Sequence, residues 1–141
     1  MKIAKFGVVG AGQMGGGIAQ VAACSGFDVV LFDLNDGALS RGVKAISSSL
    51  VRMVNKEKMT QVEADAALSR ILQTTDMAAM SDVDIVVEAA SEDEAIKKTI
   101  FRNLDEVCKP EAILATNTSS ISITRLAAVT SRPGPAIGMH F

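Results

Sequence analysis

Short apolar runs alternate with longer stretches in which apolar residues recur every three or four positions. That rhythm is the one of a parallel sheet crossed by helices. Residues 3–9, 28–32, 71–74, 84–87, 112–116 and 136–139 read as strands. Most are too uniformly apolar to keep one wet face, as expected of strands covered on both sides. Helical spacing predicts a first helix over about 13–25, stopped by Gly26 as a left-handed cap. A second runs over about 36–55, with Leu39, Val43, Ile46, Leu50 and Met53 on one stripe. Thr60-Gln61-Val62-Glu63 is a capping box that opens a third helix at once. The second and third helices, joined by the polar turn Lys56-Glu57-Lys58, form a hairpin. Ser91-Glu92-Asp93-Glu94 reads as another capping box, opening a helix with Ile96, Ile100, Leu104 and Val107 that ends at Pro110. A short helix over about 122–129 precedes the last strand. The predicted architecture is an α/β doubly wound parallel sheet with helices on both faces and the 36–70 hairpin inserted after strand 2.

Composition narrows the class. The chain has 141 residues, 48% apolar and 21% charged, with a mean hydropathy of +0.29. That is enough apolar material for one core, which excludes a disordered tail or a collagen-like chain. No internal repeat or low-complexity linker divides it, so one domain over 1–141 is expected. Net charge −2 and a pI near 5.4 give no general attraction to nucleic acid or to an acidic membrane. Apolar runs fall far short of the roughly 20 residues that span a bilayer. Cys24 and Cys108 lie in helical stretches and read as small buried hydrophobes of a reducing compartment. The start runs straight into a strand without a signal-type apolar region, and the expected location is cytoplasmic.

Candidate chemistry begins at Gly10-Ala11-Gly12-Gln13-Met14-Gly15, which follows one apolar strand directly and opens a helix. The next strand ends in an acid, Asp33, at the offset of about 20 residues expected of a dinucleotide site. Gly10 permits the tight turn, Gly12 lets the backbone approach a pyrophosphate, and Gly15 lets helix and sheet pack closely. Free backbone N–H groups and the helix dipole then attract phosphate. A flavin nucleotide, or a glycine turn kept for packing, would leave the same pattern. Asp33 favours NAD over NADP, because a carboxylate accepts from a ribose 2′-OH and repels a 2′-phosphate. Leu34-Asn35-Asp36 offers no cation to receive that phosphate, and Arg41 lies farther along the helix.

Ser49, Arg52 and Lys56 fall on one flank of the second helix. A hydroxyl and two cations in line suit a phosphorylated or nucleotide-bearing substrate, or simply a solvated face. Lys97 reads as an ordinary solvated lysine. The run Thr116-Asn117-Thr118-Ser119-Ser120 follows a buried strand, so its polar groups lie in the ligand crevice or cap the next helix. His140, the sole histidine, closes the last strand at that same end; it is either a structural histidine or, with an unperturbed pKa near 6.5, a group for proton transfer. No metal is expected.

Together these segments resemble the amino-terminal domain of the 3-hydroxyacyl-CoA dehydrogenases, most closely the short bacterial 3-hydroxybutyryl-CoA branch. The matching pieces are Gly10-Ala-Gly-Gln-Met-Gly-Gly-Gly-Ile-Ala-Gln20, Val29-Val-Leu-Phe-Asp33, Val87-Glu-Ala-Ala90, Ile96-Lys-Lys, Thr116-Asn-Thr-Ser-Ser120 and Gly138-Met-His-Phe141. The resemblance implies a Rossmann-type NAD-binding domain that serves NAD-dependent oxidation of a 3-hydroxyacyl-CoA, reversibly. It makes Asp33 the ribose acid and places Glu92 and Lys97 along the NAD site. Ser119 becomes the serine on the reacting oxygen beside the nicotinamide, and His140 the catalytic base. Ser49 and Lys56 match hairpin positions that contact coenzyme A, with Arg52 between them. In the family the chain continues past the His-Phe pair through a Glu that pairs with the His, into a helical domain that completes the substrate site and makes a homodimer. The expectation is therefore a cofactor domain without its carboxyl-terminal domain, binding NAD with turnover near background. A non-catalytic NAD-binding module and another dehydrogenase of similar architecture stay open.

Overall fold

A computed structural model describes residues 3–90, 93–116 and 136–138. The elements are β1 (Lys5–Val9), α1 (Gln13–Cys24), β2 (Asp28–Phe32), α2 (Asp36–Asn55), α3 (Gln61–Ser69), β3 (Ile71–Thr74), β4 (Ile85–Glu88), α4 (Glu94–Val107), β5 (Ile113–Thr116) and β6 (Ala136–Gly138). All pairings are parallel, in the order β3-β2-β1-β4-β5-β6. That is the doubly wound, Rossmann-type order, and its switch point lies between β1 and β4. The expected fold class holds, hairpin included.

The inner strands are largely apolar because the sheet has a core on each face, while the edge strand β3 keeps Leu72 and Gln73 exposed. Along β2, Val29 and Leu31 face the cluster with Ile18, Leu39, Ile46 and Leu50 of α1 and α2. Val30 and Phe32, on the alternate side, join Met80, Phe101 and Leu104. The predicted α2 stripe is the packed one. Leu39, Ile46 and Leu50 are buried, with Val43 and Met53 partly so. α1 ends in a Schellman motif: Gly26, at φ +96°, donates to Ala23 O and Phe27 donates to Ala22 O.

Several boundaries differ from the sequence reading. β1 starts at Lys5 and β4 runs to Glu88. α4 is capped by Asp93, whose side chain accepts from Ile96 N, so the box drawn from Ser91 is misplaced. A 3₁₀ helix over Met77–Asp82, unexpected from the pattern, is nucleated by Asp76 accepting from Ala78 N. Cys108 is buried as expected, but Cys24 is exposed, because it lies on the solvent side of α1's last turn. The predicted 122–129 helix lies outside the described residues. Among the described residues no helix is long and apolar enough to cross a membrane.

Candidate functional site

The carboxyl ends of β1, β2 and β4 meet at the glycine turn. Gly10 takes φ +107° and donates to Phe32 O at 2.7 Å. A Cβ there would fall 2.9 Å from the Ala90 Cα, so the β4–α4 loop lies directly on the turn. A Cβ on Gly15 would run into the Gly10 carbonyl oxygen, which is the close helix–strand approach that position was expected to need. Gly12 is different: among the described residues nothing lies within 4 Å of where its Cβ would be. The turn is open to a ligand there. Gln13 and Met14, exposed in the first turn, flank the same opening.

Helix ends show what is missing at this point. α2, α3 and α4 are capped by the side chains of Asn35, Thr60 and Asp93. α1 begins at Gly12 with no side-chain cap and no acid in its first turn. Its first amides are therefore left for an anionic ligand, with the helix dipole favouring it. Asp33 shapes the turn as well as bordering it, accepting from Ala11 N at 3.0 Å and from Asn35 N at 2.9 Å. Each of its oxygens keeps a lone pair for a further donor.

A cavity of about 540 Å³ opens beside the turn, bounded by Gly10, Asp33, Leu34, Met77, Ala90 and Ile96. Leu34 is 82% exposed and Ile96 51%, two apolar side chains at its rim with room for a flat ring. Among the described residues neither Lys nor Arg lines it. The chemistry of this donor set fits the adenosine and pyrophosphate of a dinucleotide with a free 2′-OH. A second cavity, about 410 Å³, runs between α1 and α2 past Gly12, Gly16, Gln20, Arg41 and Ala45.

Behind the turn sits a buried charged cluster that joins Lys97, which the resemblance places along the NAD site, to Glu88, to which the sequence reading gave no role. Glu88, fully buried at the end of β4, accepts from Ala90 N at 2.7 Å and from Thr116 Oγ1 at 3.0 Å, and pairs with Lys97 Nζ. Lys97 is 1% exposed, which corrects the solvated reading: α4 turns this face inward against β4 and β5. Thr116 is likewise not an open crevice group: it is buried, with its hydroxyl donating to Glu88. The sequence signal was a Glu closing the apolar run Ile85-Val86-Val87, an unusual place for a charge without a buried partner.

On the hairpin, Ser49 is half-buried and accepts from Gln20 Nε2 at 2.9 Å. Arg52 and Lys56 continue its flank as exposed cations. Glu92, Ser119 and His140 lie outside the described residues.

A sequence model of the family described as "3-hydroxyacyl-CoA dehydrogenase, NAD binding domain" matches residues 5–141. The 3-hydroxybutyryl-CoA dehydrogenase of Bradyrhizobium diazoefficiens is 52% identical over 139 residues, 99% of this chain and 47% of that protein. A probable 3-hydroxybutyryl-CoA dehydrogenase of Deinococcus radiodurans is 53% identical over 97% of this chain and 49% of its own length. The crystal structure of (S)-3-hydroxybutyryl-CoA dehydrogenase from Ralstonia eutropha superposes with a TM-score of 0.96 at 47% identity, covering 99% of this chain and 50% of that one. The chain thus spans about half the length of these relatives.

Proposed function

The chain belongs to the 3-hydroxyacyl-CoA dehydrogenase family, matching its NAD-binding domain, and from that premise we propose that it is the cofactor half of an NAD-dependent enzyme interconverting a 3-hydroxyacyl-CoA, 3-hydroxybutyryl-CoA in particular, and its 3-ketoacyl-CoA. When bound, NAD supplies the hydride acceptor for C3 of the substrate. The chain's own groups bind, orient and move the proton. The bare amides that open α1 hold the pyrophosphate, and Asp33 accepts from the adenosine ribose. Leu34 and Ile96 flank the adenine. Glu92 and Lys97 belong to the cofactor side, Lys97 from behind the β4–α4 loop through Glu88.

His140 takes the proton of the 3-hydroxyl as general base, a contribution of about 10²–10⁴-fold. Ser119 holds the reacting oxygen. Both roles rest on the resemblance carried by Thr116-Asn-Thr-Ser-Ser120 and Gly138-Met-His-Phe141. Ser49, Arg52 and Lys56 offer coenzyme A a hydroxyl and two cations along α2. The observation that carries the reading is the uncapped, acid-free start of α1 beside Asp33. The test follows NADH consumption with acetoacetyl-CoA in the full-length protein. Turnover is expected, falling at least about a hundredfold in His140→Gln. Near-normal turnover in that variant would refute His140 as the base, and none in the parent would refute the activity.

A further inference from the structure

We propose that Gln20 is a positioning residue for the acyl-CoA side of the site: its amide holds Ser49 so that the serine hydroxyl proton is presented to an acceptor oxygen of the coenzyme A tail. The inference rests on the reading of the α2 flank as the coenzyme A contact. Gln20 stands on α1 and lines the cavity between α1 and α2. Its Nε2 lies 2.9 Å from Ser49 Oγ and 3.7 Å from Met53 Sδ. A thioether sulfur only accepts, so Met53 fixes which end of the amide is the NH₂ group. That settles the polarity: Gln20 donates and Ser49 accepts.

A hydroxyl that accepts from an amide still has its own proton to give. Ser69 and Thr99 spend that proton on the backbone, on Ala66 O at 2.7 Å and Ala95 O at 3.1 Å, whereas the serines of α2 do not. The Ser49 proton has no acceptor among the described residues. Arg52 and Lys56 follow on the same flank, both exposed, so a group that accepts from Ser49 meets two cations within two turns. A phosphate or an amide carbonyl of coenzyme A carries the acceptor oxygens that such a row selects.

The test titrates coenzyme A and, separately, NADH into the chain by calorimetry, with Gln20→Met, Ser49→Ala and the double variant. Methionine keeps the length of Gln20 and its packing on Met53 while removing the amide. Each single substitution should weaken coenzyme A binding by about three- to tenfold, the worth of one hydrogen bond. The double variant should bind no more weakly than the weaker single one, since both break the same arrangement. NADH affinity should not change. Gln20→Glu, whose carboxylate takes the Ser49 proton, should bind coenzyme A no better than Gln20→Met.

Parent-like coenzyme A binding by Gln20→Met beside a weakened Ser49→Ala would overturn the role of Gln20 alone, as would losses that add in the double variant. A matching loss of NADH affinity would also overturn it, by showing general damage. No coenzyme A binding by the parent, or none lost in both Ser49→Ala and Lys56→Ala, would overturn the hairpin reading and this inference with it.

Discussion

Gly12 and Gly15 stand in the same turn and predict opposite failures. A Cβ at Gly15 has no room, because the Gly10 carbonyl oxygen occupies it. Gly15→Ala should lose thermal stability and NADH binding together. A Cβ at Gly12 meets none of the described residues, so Gly12→Ala should melt within a few degrees of the parent. It should nonetheless bind NADH at least tenfold more weakly, since the methyl group stands where the pyrophosphate must approach. Undiminished NADH affinity in Gly12→Ala would move the phosphates elsewhere. These positions were legible in the sequence because a missing side chain is a local requirement. The burial and pairing of Glu88 and Lys97 were not, because what makes a charge tolerable in a core is a partner brought by another element. Lys97→Met leaves the buried Glu88 without its counter-charge and should cost about 3–5 kcal/mol in denaturant unfolding. Adding Glu88→Gln, which removes the stranded charge, should recover part of that loss. No recovery would contradict the pairing as the reason Lys97 is buried.

At the scale of elements, the caps separate scaffold from site. Asn35, Thr60 and Asp93 satisfy the starts of α2, α3 and α4, while α1 is left bare where a ligand is expected. Asp93→Ala should destabilise the fold by about 1 kcal/mol. An unchanged unfolding midpoint would show that Asp93 is not the cap. The hairpin was readable because its apolar stripe and the capping box at Thr60 agree on period and boundary. The start of α4 was misread for a definite reason: two acids and a serine stand in a row at 91–93, and spacing alone cannot choose which one caps. The 3₁₀ helix escaped because six residues closed by one side-chain cap give no period to read.

At the scale of the whole molecule, the two ends of the parallel sheet are built for different tasks. The amino-terminal end is closed by Asp84, which accepts from Ala4 N at 2.7 Å and Lys5 N at 3.0 Å and pairs with Lys109 at 2.5 Å. The Lys109 hydrogen bond, then the backbone donors, hold its carboxyl down at about 2, against an ordinary 3.8. A depressed acid adds stability that is complete above about pH 4 and is lost as the pH falls toward about 2. Asp84→Asn should therefore melt below the parent at neutral pH, with the gap narrowing over that acid window. A gap that stays constant on acidification would refute the assignment.

The carboxyl-terminal end carries the glycine turn, Asp33 and the apolar rim, and the central claim is that this end is an NAD site that rejects a 2′-phosphate. The most direct measurement is a parallel titration of NADH and NADPH, following the nicotinamide's own fluorescence, in the parent chain and in Asp33→Ala. The chain has no Trp or Tyr to report binding. NADH should bind clearly tighter than NADPH in the parent, by tenfold or more. Asp33→Ala should narrow the gap from both sides, losing ribose hydrogen bonds and easing the repulsion of the phosphate. Equal affinities for the two cofactors in the unmutated chain, or a preference that Asp33→Ala leaves untouched, would contradict the account.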